Sequence, residues 1–182
     1  MRPSSLFNAY NAFTLDMILR TQSTILPARY YKPRNLHKKL QLIAMIKNQQ
    51  KISFIPLFGK ILSLSELEDD FIRKPGNFDE PRIHFALNRA SIDYPALRNR
   101  AYTGIDLEQQ LESATRAFLS DRSRNRFDEV TGKLEVSELF NWYERDFERG
   151  WQGWFNLSQF FIQYRDSLAD TGHARELLAT DS

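Results

Sequence analysis

His84, Ser91 and Asp93 place an imidazole, a hydroxyl and a carboxylate within one short stretch of chain, the groups that acyl transfer through an activated nucleophile uses. A turn that folds back between them would let His84 act as base toward Ser91, with Asp93 as the orienting carboxylate. No glycine flanks Ser91, so the strained nucleophile turn of the hydrolases is missing. A core histidine held by a hydrogen bond accounts for His84 just as simply. Near the start of the chain Asn8, Tyr10 and Asn11 form a second polar group inside an otherwise apolar segment. Amides in that setting must find partners, either by pinning backbone or by holding a ligand. Glu144, Asp146 and Glu148 crowd one segment, but Arg145 and Arg149 alternate with them, which is the pattern of a solvated helix face. His37 lies among lysines and His173 near the C-terminus, neither beside a second obvious ligand.

Other chemistries are closed to this chain. It has 182 residues and no cysteine, which removes disulfides, thiolate nucleophiles, thiolate zinc sites and cysteine-held iron–sulfur clusters. There is no H-E-x-x-H, EF-hand or glycine-rich phosphate loop, so no metal and no cofactor is expected. No apolar run approaches the roughly 18 to 20 residues of a membrane span. The residues after Met1 are too polar for the core of a signal peptide, which at face value points to the cytoplasm. A hydrophobic fraction of 42% with 26% charged residues is that of a chain able to bury one core.

The small net charge of +2 hides an asymmetry. Residues 1–60 hold ten Lys or Arg against the single acid Asp16, whereas the remainder holds fifteen against twenty-two acids. Arg29, Lys32, Arg34, Lys38, Lys39, Lys47 and Lys51, with Tyr30 and Tyr31 as stacking surfaces, would suit an anion or a nucleic acid. Basic and acidic segments that face each other or are solvated explain the asymmetry as well, and no nucleic-acid motif accompanies it.

The elements that must position these groups are read from periodicity. Leu6, Phe7, Tyr10, Phe13, Met17 and Ile18 predict an amphipathic helix over residues 5–20. An extended linker over 21–35 follows, around Pro27 and Pro33, then a helix over 36–48. Residues 52–62 read as a short hairpin through Gly59 or as two edge strands, and Ser63 with Glu66, or Ser65 with Glu68, offers a capping box for a helix to Arg73. The alternation over 82–88 suits a strand, with a short buried helix as the alternative. Asp106 caps a helix carrying Leu107, Leu111, Ala114 and Phe118, and a hairpin turns at Thr131-Gly132. Ser137 and Asn156 open two further helices, and the polar tail from Asp170 is expected to fray. The sum is an α+β fold, one predominantly helical domain over residues 1–169 with a small antiparallel sheet built from segments near 52–62, 82–88 and 127–136.

Six blocks in order carry a family resemblance: Asn8-Ala9-Tyr10-Asn11-Ala12, Leu62 to Glu68, Pro81 to Asn88, Ala101-Tyr102-Thr103, Gln110 to Leu119, and Trp142 to Phe147. Together they resemble the domain of unknown function 547, over residues 6–165. Members of that family usually carry a cysteine after the His-Phe-Ala-Leu block and another before the following proline. Those positions are Arg89 and Tyr94 in this chain. Chemistry that depends on either cysteine is therefore absent. The family domain also normally extends upstream of the asparagine block, and many bacterial relatives are exported, so the resemblance implies export if a signal precedes this sequence. The expectation is a non-catalytic or degenerate member that binds a protein or small polar ligand near Asn8, Tyr10, Asn11 and His84. The alternative is a hydrolase or acyl-transfer enzyme of remote transglutaminase-like or papain-like arrangement, with His84 as base and its nucleophile lost or replaced by Ser91.

Overall fold

Pro3 opens the first helix, α1 (Pro3–Ile25), at a position where its missing N–H costs nothing. The computed structural model describes residues 2–25, 49–91 and 93–180. The helix expected over 36–48, His37 and the basic residues from Arg29 to Lys47 with Tyr30 and Tyr31 lie outside them, while Lys51 is exposed. Helix α1 runs through residues 21–25, where a linker was expected. No glycine or proline stands before Pro27 to stop it. Leu6, Phe7, Tyr10 and Met17 form its buried stripe.

The hairpin of β1 (Ile55–Leu57) and β2 (Lys60–Leu62) turns through Phe58 and Gly59, both with positive φ. That turn matches the strand twist, and the Phe58 ring stacks on Phe71 with centroids 4.7 Å apart. Ser63 then caps α2 (Leu64–Glu66) in a complete capping box with Glu66. A π-helical turn (Leu67–Ile72) continues it.

Residues 82–88 are not a strand. Pro81–Phe85 forms a buried 3₁₀ turn, with the Glu80 side chain accepting from the Arg82 amide. The alternation that imitated a strand has another cause. Ile83 packs into an apolar cluster with α1 and α2, and Phe85 into a second one with the C-terminal helices. Arg82 and His84 between them are equally buried, each held by carboxylates. The sheet is correspondingly two separate two-stranded hairpins, the second being β3 (Arg126–Asp128) with β4 (Lys133–Glu135).

Helix α3 (Leu107–Leu119) occupies its expected place, but Asp106 does not cap it. The Asp106 carboxylate accepts from Thr103 Oγ1 instead. Helix α4 (Leu139–Phe147) kinks at Tyr143 and is followed by Gly150, whose φ is 82° and whose absent Cβ would meet the Phe155 ring at 2.8 Å. Asn156 caps α5 (Leu157–Gln163) through the Gln159 amide, and α6 (Arg165–Leu168) follows. The tail does not fray over residues 172–180. It forms α7 (Gly172–Thr180), which buries Ala174 and Leu178, while His173 is exposed. No helix among the described residues is long and apolar enough to cross a membrane.

Two asparagines tie α1 to this framework. Asn11 Nδ2 donates to the Ala86 carbonyl at 2.9 Å and its Oδ1 accepts from the Asn88 amide at 2.9 Å. Asn8 makes the same two-way contact with Tyr102, at 2.8 Å in each direction. Asn11 is buried and Asn8 partly so. Replacing Asn11 by Ala strands one buried donor and one buried acceptor, so urea denaturation should show a loss of about 2 to 3 kcal/mol. Asn8→Ala should cost less, about 1 to 2 kcal/mol, because Asn8 is only partly buried.

Candidate functional site

His84 is fully enclosed, and its Nε2 lies 2.8 Å from Asp146 Oδ2. Asp146 comes from α4, and Arg73 and Arg149 hold the same carboxylate at 3.0 and 2.6 Å. The Tyr143 ring, on the kink of α4, stacks on the imidazole with centroids 3.9 Å apart and planes at 20°. Burial lowers the His84 pKa, against the opposing pull of the Asp146 hydrogen bond and of the Glu68 and Asp146 charges. The ring is therefore neutral at pH 7, with its proton on Nε2 donated to a carboxylate that can only accept. Burial also pushes the Asp146 carboxyl upward, but the hydrogen bonds from His84 and Arg73 outweigh it and hold Asp146 at about 2.

Beyond Tyr143 lies a second buried carboxylate. Glu68, on the π-helical turn, is 1% exposed and takes Arg89 Nε at 2.8 Å and the Tyr143 hydroxyl at 3.3 Å. The Tyr143 hydroxyl also meets the Tyr94 hydroxyl at 3.1 Å. The Arg89 guanidinium lies over the Tyr94 and Tyr143 rings, 5.4 and 5.5 Å from their centroids. Tyr10 reaches this group from α1, its phenol pushed well up by burial and then by the Glu68 charge. The result is one polar interior running from Glu68 through Tyr143 to His84 and Asp146.

The residues singled out in the sequence are distributed unevenly around it. Tyr10 and His84 belong to this interior. Asn8 and Asn11 are consumed by backbone contacts with Tyr102, Ala86 and Asn88. Ser91 Oγ hydrogen-bonds Asp93 Oδ2 at 3.4 Å, and neither hydrogen-bonds His84 among the described residues. The base of any acid–base pair is thus oriented by Asp146, which the sequence reading assigned to a solvated face, and not by Asp93. Glu144 is exposed as that reading expected; Asp146 is 4% exposed. Its signal was its phase, because Leu139, Tyr143 and Asp146 share the apolar stripe of α4. Glu68 stands likewise in phase with Leu64 and Ile72. Among the described residues no group of three or more His, Asp or Glu is placed to hold a metal.

Both members of the His84–Asp146 pair titrate below their unfolded values, so both stabilise the fold above those values and lose that contribution as pH falls through the folded ones. For Asp146, a shift from 3.8 to about 2 amounts to about 2 kcal/mol. Stability followed by chemical denaturation should decline once the pH drops below about 6.5, the unfolded histidine value, and fall further below about 4. Asp146→Asn keeps an oxygen acceptor near His84 and should flatten the lower part of that decline.

Residues 4–119 match the model of a family described as Protein of unknown function, DUF547. The last block of the resemblance, Trp142 to Phe147, lies beyond the matched residues. No curated protein and no solved structure matches the chain.

Proposed function

The chain belongs to the family of unknown function 547, and on that premise we propose that it is a non-catalytic, degenerate member that binds a protein or a small polar ligand. The observation that carries this reading is the seat of Arg89. The resemblance implies cysteine at that position and at Tyr94. Arg89 instead pairs with Glu68, and the two aromatic rings of Tyr94 and Tyr143 lie under its guanidinium. A buried carboxylate with a guanidinium on it and hydroxyls around it is a satisfied structural group, with no electron pair presented to a substrate carbon. In this reading Asn8 and Asn11 fix the backbone that frames the binding domain, and Tyr10 and His84 line its polar interior.

The His84–Asp146 hydrogen bond favours a second reading, the hydrolase or acyl-transfer enzyme in a transglutaminase-like or papain-like arrangement. A carboxylate on Nε2 leaves Nδ1 as a base, as such an enzyme requires. Ser91 would have to supply the nucleophile, and its hydroxyl is turned to Asp93.

Incubating the purified chain with p-nitrophenyl acetate and with a set of peptide amides, beside Ser91→Ala, separates the two readings. The binding reading predicts no turnover above buffer that Ser91→Ala removes. Saturable turnover lost in Ser91→Ala, with the thermal midpoint unchanged, would overturn it in favour of the enzyme.

A further inference from the structure

Away from the polar interior, the hairpin of β1 and β2 turns an apolar face outward. Pro56 and Ile61 pair across the strands and point away from the core, since the neighbouring pair of Ile55 and Leu62 is buried on the opposite face. Ile61 is 59% exposed, and Ile52, just before the first strand, 50%. Phe58 at the turn is 45% exposed although one side of its ring is stacked on Phe71. Single apolar residues scattered over a surface need no explanation, but three large ones crowded into residues 52–61 mark an interaction surface.

The charge carried by this part of the chain has one sign. From residue 17 to residue 65 there are nine Lys or Arg and no acid. Lys51 and Lys60 flank the apolar side chains and are themselves exposed. Helix α1 passes the same hairpin, with the Arg20 guanidinium 5.7 Å from the centroid of the Phe54 ring. The described chain resumes at residue 49, three residues before Ile52. The six Lys or Arg of residues 26–48 are thus tethered at both ends beside the hairpin. On the adjoining elements Asp16 is engaged by Arg20, Glu66 by the Ser63 cap and Asp69 by Arg73, while Asp70 is exposed with no ion pair among the described residues.

We infer that this hairpin docks the protein on an anionic phospholipid surface, with Ile52, Phe58 and Ile61 entering the headgroup boundary and the surrounding cations held against the lipid charge. Attachment of this kind takes two signals, because a small apolar anchor or a basic stretch alone binds only marginally. This chain carries both in one place. A nucleic acid would use the cations, but its affinity comes from phosphate contacts and base stacking, which leave exposed isoleucines without a role. The protein would lie on the bilayer, with no helix among the described residues crossing it. The inference stands apart from the reading of the polar interior, which concerns other residues.

Sedimentation of the full chain with phosphatidylcholine vesicles, with and without about 30% phosphatidylserine, is the test. The expected result is partitioning onto the anionic vesicles at least about tenfold stronger than onto the neutral ones, and weakened by added salt. Ile61→Thr keeps a β-branched side chain on the strand while removing apolar surface. Combined with Ile52→Thr it should lower the partitioning about tenfold with the thermal midpoint unchanged. Lys60→Gln should lower it about fivefold. No sedimentation with anionic vesicles, or sedimentation that the paired threonine substitutions leave unaltered, overturns the inference. Duplex DNA bound more tightly than the vesicles overturns it in favour of a nucleic acid. A dimer in analytical ultracentrifugation that the same substitutions dissociate overturns it in favour of a second copy of this chain.

Discussion

Two buried carboxylates, Glu68 and Asp146, constrain everything around them. A carboxylate removed from water costs several kcal/mol unless cations and hydrogen-bond donors replace the lost solvent. Arg89 and the Tyr143 hydroxyl do this for Glu68, and Arg73, Arg149 and His84 do it for Asp146. Those partners come from the end of the π-helical turn (Arg73), the 3₁₀ turn (His84), the segment after it (Arg89), and α4 with the residues just beyond it (Tyr143 and Arg149), so the carboxylates fix how these pieces meet. Tyr143 is where the two groups join: its ring stacks on His84 and its hydroxyl reaches Glu68, and α4 leaves helical geometry at that residue. The 3₁₀ turn serves the same end, sending Ile83 and Phe85 into separate apolar clusters while Arg82 and His84 remain buried between them.

This arrangement bears on function through what it leaves unused. An imidazole oriented by a carboxylate is a base in waiting, but nothing nucleophilic among the described residues is hydrogen-bonded to it. Arg89, standing where the family resemblance implies a cysteine, neutralises a charge that would otherwise be stranded. Arg89 therefore has a structural role of its own, closing the interior over Glu68.

The sequence was most legible where local rules decide structure. The Ser63–Glu66 box, the Asn156 cap, both hairpin turns and the apolar stripe of α3 were all readable because each depends on residues a few positions apart. Of the two elements that the pattern over 82–88 allows, the short buried helix forms and the strand does not, because alternation implies one buried face whereas Pro81–Phe85 is buried throughout. Asp146 and Glu68 were passed over because charges amid other charges read as solvated, although their phase on an apolar stripe marked them. Arg89 as the partner of Glu68 was not legible at all, since 21 residues separate them and only the folded chain brings them together. The family resemblance supplied what local rules could not: it pointed to positions 89 and 94 as departures before their partners were known.

A double-mutant cycle on Glu68 and Arg89 tests the central claim most directly, using Glu68→Gln, Arg89→Met and the pair, with unfolding free energies measured at pH 7. If the guanidinium exists to neutralise the buried carboxylate, Arg89→Met alone is severe, about 3 to 5 kcal/mol. The double substitution then recovers much of that loss, giving a coupling of about 2 kcal/mol or more. Effects that add within about 0.5 kcal/mol would contradict the account, because Glu68 would then be stable in its place without the residue that stands where the family resemblance implies a cysteine.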